Sequence, residues 1–133
     1  MKKVLTVGVF DYFHYGHLRL FKRAKALGDY LIVAVQDGDY ITKYKPQTPI
    51  YYSTEQRLEM VGALSVVDQV CVYYDVDEIV KKIDFDIFVV GGDQTHAGFQ
   101  RAVKWCKDNK KEVIRLERTP NVSSTDIKSQ IGK

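Results

Sequence analysis

The chain has 133 residues, 45% hydrophobic, 28% charged and 12% aromatic, with nine glycines and three prolines; this excludes a disordered, collagen-like or disulfide-stapled protein. Twenty basic against seventeen acidic residues leave a charge of +3, too small and too dispersed for a nucleic-acid grip. The apolar runs fall far short of the roughly 20 residues a membrane span needs. One domain covering residues 1–133 is expected, with a core burying roughly two-thirds of the surface the unfolded chain exposes. The basic start is followed by an apolar stretch broken by Thr6 and Gly8 and ending at Asp11, so no secretory signal is read there. Cys71 and Cys106 lack metal or redox spacing and read as reduced core thiols of a cytoplasmic protein.

Residues 4–9 form a nearly continuous apolar run, as expected of a strand buried on both faces. Leu18, Leu20, Phe21, Ala24 and Leu27 fall at helical spacing, with Gly28 as the expected left-handed stop. Residues 30–35 read as a second strand. Residues 36–52 show no strong periodicity and contain Gly38, Pro46 and Pro49, which predicts a long functional loop. Ser53 and Gln56 make a capping box ahead of a helix carrying Leu58, Met60, Val61 and Leu64. Strands are expected at 69–73 and 87–90, with a short helix over 77–82 between them. A helix over 102–109, a strand over 113–116 and a closing helix over 124–131 complete the chain. This alternation predicts a doubly wound α/β domain of about five parallel strands with helices on both faces. Such sheets bind ligands beyond the carboxyl ends of their strands, where the strand order reverses.

After the first strand comes Phe10-Asp11-Tyr12-Phe13-His14-Tyr15-Gly16-His17. It puts two imidazoles and a glycine at a helix start, where unsatisfied N–H groups attract anions. After the last strand, Arg118-Thr119 and Ser123-Ser124-Thr125 supply a guanidinium and hydroxyls before another helix. Two anion-binding termini at neighbouring strand ends suit a polyphosphate.

These two motifs resemble those of the cytidylyltransferases in the nucleotidyltransferase superfamily, above all the bacterial glycerol-3-phosphate cytidylyltransferases. The likeness runs from Lys3 to Ile131. It implies a reaction in which CTP and an alcohol phosphate, glycerol 3-phosphate for preference, give a CDP-alcohol and pyrophosphate. The acceptor phosphate would attack the α-phosphorus in line, with Mg²⁺ carried by the triphosphate rather than by a protein site. By the same resemblance His14, His17, Lys43 and Arg118 are catalytic. Gly8, Val9, Phe10, Gly16, Gly91, Asp93, Thr119, Ser123, Ser124 and Thr125 bind the nucleotide. Asp11, Lys45 and Arg57 bind the acceptor, with Arg57 on its phosphate side.

Departures from the family pattern are Val9 for a threonine, Gly92 and Gln94 for an aspartate and a tryptophan, and Ser65-Val66-Val67-Asp68 for a dimer-associated R-Y-V-D. A homodimer is left open, and neither nucleic acid nor membrane is expected as a partner. Two alternatives stand beside this reading. One is an adenylyltransferase of the same superfamily using ATP with a sugar or flavin phosphate; the other is a nucleotide-binding module without catalysis. His96, the Lys81-Lys82 and Lys110-Lys111 pairs and Trp105 have plainer readings, as surface or packing residues.

Overall fold

The structure, a computed structural model, describes residues 1–117. The expected helix over 124–131 therefore lies outside the described residues, as do Arg118, Thr119, Ser123, Ser124 and Thr125.

Five strands, β1 (Lys3–Gly8), β2 (Tyr30–Gln36), β3 (Gln69–Tyr73), β4 (Ile87–Gly91) and β5 (Glu112–Leu116), form one sheet in the order β3-β2-β1-β4-β5. All four pairings are parallel. The helices are α1 (Tyr15–Lys25), α2 (Gly38–Tyr44), α3 (Thr54–Gly62), α4 (Val76–Lys82) and α5 (Ala97–Asp108). Because alternate strand residues point to opposite faces, the sheet feeds two cores. Leu5, Val7, Ala34, Phe88 and Val90 pack with Val80 of α4 and Phe99 and Cys106 of α5. On the other face Val4, Val33, Val35 and Val89 pack with Phe21 of α1 and Val61 of α3. The doubly wound reading is met, and Trp105 packs against the first core as read from its spacing. No helix among the described residues is long and apolar enough to cross a membrane.

The capping box of α3 forms on both sides: Gln56 N donates to Ser53 Oγ at 3.1 Å and Ser53 N to Gln56 Oε1 at 3.0 Å. Three local expectations are corrected. Residues 36–52 are not one loop: β2 runs through Gln36, and α2 follows, capped by Asp37, whose Oδ2 accepts from Tyr40 N at 2.9 Å. With Ile41 as its one buried residue, so short a helix leaves almost no periodic signal. Gly28 is not left-handed, and α1 ends instead on Ala26 in the right-handed region. A Cβ at Gly28 would lie 2.7 Å from Lys2 O and 2.8 Å from a Val4 methyl, so close approach to β1 is what requires glycine here. Finally, α5 starts at Ala97 rather than 102, capped by His96.

The chain builds β1, β2 and β3 outward in one direction, then returns to place β4 and β5 on the other side of β1. The reversal between β1 and β4 marks the ligand crevice of such sheets. Gly8 and Gly91 end the two strands that flank it.

Candidate functional site

The turn after β1 is held in a backbone conformation that bulky residues avoid. Phe10 and Tyr12 have φ of 56° and 50°, a left-handed arrangement that persists only where surrounding contacts enforce it, and such residues cluster at functional sites. Phe10 folds back so that a Cβ at Gly8 would lie 2.7 Å from its ring. The ring then meets His17 edge-on at 5.5 Å and Phe21 at 5.0 Å.

α1 is capped by the two histidines themselves. His14, extended at φ −142°, accepts from Gly16 N through Nδ1 at 2.9 Å, and His17 Nδ1 accepts from His14 N at 3.2 Å. The rings stack at 3.9 Å. A neutral imidazole that accepts through Nδ1 carries its proton on Nε2. Both histidines are thereby fixed as Nε2–H donors at the positive end of α1, the arrangement suited to phosphate oxygens. The Gly16 N–H is spent on the cap.

Burial, and then the neighbouring His14, push the His17 pKa down from 6.5 to about 4. The sign of the resulting pH dependence follows: below pH 6.5 the unfolded chain takes up a proton that the folded chain refuses until about pH 4. Stability from this group is therefore complete above 6.5 and falls as pH drops toward 4. The expected loss between pH 7 and pH 5 is roughly 2 kcal/mol. Urea unfolding of wild type and His17→Gln, whose glutamine keeps the N3 half of the cap, checks this. The difference between the two profiles should carry the loss; parallel profiles would contradict it.

Asp11 and Arg57, expected at the acceptor, are otherwise engaged. The Asp11 carboxylate is buried and accepts from Tyr51 N at 2.7 Å and Tyr52 N at 3.0 Å. Arg57 is wholly buried; its Nη1 donates to Val9 O at 3.0 Å and Gln36 O at 2.7 Å, and its Nε to Tyr52 O at 3.2 Å. Burial lowers its pKa, with Asp11 and Asp37 opposing. Together the two side chains tie the first turn, the end of β2 and the segment before α3 into one platform. Their charges serve backbone groups because those groups would otherwise be buried unpaired.

The lysines diverge. Lys43 is exposed on α2 beside the Tyr44 ring at 5.2 Å, whereas the part-buried Lys45 donates from Nζ to Gln36 Oε1 at 3.3 Å. On the other side of the crevice Gln94 spans the strand ends: its Oε1 accepts from Gly91 N at 2.9 Å and its Nε2 donates to Val7 O at 2.9 Å. Arg115 Nη1 donates to Gly91 O at 2.7 Å and Gln94 O at 3.3 Å, bracing the turn that carries Asp93. The sequence reading gave neither residue this role; Gln94 showed only as a departure from a family pattern. Asp68, at the end of the stretch that replaces the dimer-associated motif, pairs within the chain with Lys25 and Leu31 N.

Beside α2 lies a pocket of about 180 Å³, lined in part by Gln36, Tyr40, Lys45, Asp75, His96 and Arg101. His96 caps α5 through Nδ1, which accepts from Gly98 N at 3.2 Å. Among the described residues no three His, Cys, Asp or Glu side chains converge as a metal cage.

A family model described as cytidylyltransferase-like matches residues 5–130. The chain is 38% identical to the glycerol-3-phosphate cytidylyltransferase of Staphylococcus aureus, over 98% of this chain and 96% of that one. It is 36% identical to the protein of the same name from Bacillus subtilis, over 99% and 98% of the two chains. An FAD synthase from Methanosarcina barkeri is 44% identical over 71% of this chain and 67% of its own. Among solved structures, the lipopolysaccharide core biosynthesis protein from Thermoplasma volcanium superposes with a TM-score of 0.77 at 28% identity, covering 90% of this chain and 98% of that one.

Proposed function

The chain belongs to the cytidylyltransferase-like family, and on that premise we propose that it condenses CTP with glycerol 3-phosphate to CDP-glycerol and pyrophosphate. The observation that carries this reading is the likeness to glycerol-3-phosphate cytidylyltransferases over almost the whole of both chains. The FAD synthase likeness stops at about seven-tenths of this chain.

In the reaction an acceptor phosphate oxygen forms a bond to the α-phosphorus while the bond from that phosphorus to the bridging oxygen breaks, and pyrophosphate leaves with the electron pair. The protein needs no nucleophile of its own; it must hold two anions in line and stabilise growing charge. The Nε2–H groups of His14 and His17 suit the second task, because the capping bonds fix both rings before substrate arrives. Gly8, Val9, Phe10, Gly91 and Asp93 flank the crevice at the sheet reversal, where the nucleoside part of the nucleotide binds in this reading. In this reading Arg118, Thr119, Ser123, Ser124 and Thr125 take the β- and γ-phosphates, Lys43 of α2 serves the reacting phosphates and Lys45 the acceptor. Asp11 and Arg57 act through the platform they hold rather than on the acceptor. In this reading a divalent ion such as Mg²⁺ would be carried by the triphosphate, and the two histidine Nδ1 atoms, which accept from backbone N–H groups, would not ligate it. When bound it neutralises phosphate charge.

Purified protein incubated with CTP, Mg²⁺ and a panel of alcohol phosphates tests the reading. A product with the mass of CDP-glycerol, formed with equimolar pyrophosphate, is expected. No pyrophosphate release with CTP and any acceptor would overturn it.

A further inference from the structure

Strand pairing around the sheet reversal stops at unequal depths. β1 pairs with β2 as far as Gly8↔Val35, and β4 pairs with β5 as far as Gly91↔Leu116. Between β1 and β4 the pairing ends earlier, at Thr6↔Val89. The central pair therefore opens while its outer neighbours stay closed, and the crevice begins at this opening.

In a parallel ladder that continued past this point, backbone groups of the two strands would bond to one another. Instead Gly91 N donates to Gln94 Oε1 at 2.9 Å and Gln94 Nε2 donates to Val7 O at 2.9 Å, so a whole amide group stands between them. A backbone N–H can only donate and a carbonyl only accept, which fixes the orientation of that amide. Neighbouring groups are occupied too. Gly91 O accepts from Arg115 Nη1 at 2.7 Å and from Gln94 N at 3.2 Å, and Val9 O accepts from Arg57 Nη1 at 3.0 Å. These bonds satisfy groups that would otherwise be free to extend the ladder.

Resting on the cytidylyltransferase reading, we propose that Gln94 is a positioning residue for the nucleotide: its side-chain amide is a spacer that holds β1 and β4 open, so that the nucleoside enters between Gly8 and Gly91. It acts through the backbone of those strand ends and of the turn that carries Asp93, and it has no part at the acceptor. Without the amide, Val7 O and Gly91 N are left unpaired, a cost the chain escapes by bonding them to each other. The ladder then gains a rung and the crevice narrows at its mouth.

Gln94→Met tests the assignment, because methionine keeps an unbranched, flexible side chain and removes the amide. With pyrophosphate release followed at varied CTP and varied glycerol 3-phosphate, the KM for CTP should rise by about tenfold or more, in line with a small misplacement of binding groups. The KM for glycerol 3-phosphate should stay within about twofold. Both values rising together, the sign of a merely structural loss, or neither moving, would overturn the spacer. A crystal structure of the variant gives a second readout that needs no activity. Gly91 N and Val7 O should lie within about 3.2 Å of each other, and strand ends still held apart would overturn the proposal. Gln94→Asn, one methylene too short to span the gap, should show the same two changes and serves if the methionine variant does not fold; wild-type values in it would also count against the spacer. Failure of the parent reading looks different: wild type itself would release no pyrophosphate from CTP and glycerol 3-phosphate. Calorimetry with CTP and with ATP then decides. About tenfold weaker binding of the preferred nucleotide by Gln94→Met supports the spacer, and equal binding, or no binding of either nucleotide by wild type, overturns it.

Discussion

His14→Asn should lower kcat by about 10²–10³ while leaving the fold intact. The substitution is chosen for what it keeps. Asparagine is among the best N-cap residues, so the bond from Gly16 N to the cap residue survives in a shorter side chain, and α1 should start where it does now. What disappears is the imidazole Nε2–H, a donor fixed before the phosphates arrive; removal of one such preorganised donor is worth 10²–10³ in rate. His17 is its counterpart, stacked at 3.9 Å and donating under the same constraint. A His14→Asn enzyme within tenfold of wild-type kcat, with an unchanged far-ultraviolet spectrum, would remove this residue from the chemistry.

Arg57→Leu should cost about 3–5 kcal/mol of stability, the range for stripping one partner from a buried charged network. The carbonyls of Val9, Gln36 and Tyr52 all lose their guanidinium donor at once. Arg57→Lys should recover only part of that loss, because one ammonium cannot span three carbonyls in the fixed fork of a guanidinium. Urea unfolding of both variants is the measurement. A loss below about 1 kcal/mol for the leucine variant, together with a raised acceptor KM, would return Arg57 to the substrate and contradict the platform.

Both residues bear on how much of the candidate site's geometry was legible before the fold. The placement of the histidine pair at a helix start could be read because its context is local: an apolar run, a turn and the start of α1 lie within one short stretch. The Ser53–Gln56 box was legible for the same reason, and the β-branched run at 30–35 gave a strand without help from tertiary contacts. Arg57 and Asp11 could not be read this way. A charged residue near a strand end looks identical in sequence whether it faces ligand or closes a set of buried carbonyls. Only the approach of the β1 turn, the end of β2 and residues 51–52 decides between these. The start of α5 escaped because a histidine Nδ1 acts as its cap, a role that residue lists assign to serine, threonine, aspartate and asparagine. Gln94 and Arg115 work through separations of 87 and 24 residues, which no local pattern encodes.

The choice of base is the most direct test of the central claim, because the histidines, the helix termini and the triphosphate contacts would serve ATP as well as CTP. A site built to hydrogen-bond cytosine leaves buried polar groups unpaired when adenine enters, a mismatch worth up to roughly 10⁴ in discrimination. Parallel progress curves with CTP and ATP, glycerol 3-phosphate as acceptor and Mg²⁺ present should give a kcat/KM for CTP at least about a hundredfold above that for ATP. Equal values, or ATP ahead, would contradict the account and move the chain to the adenylyl-transferring side of its family.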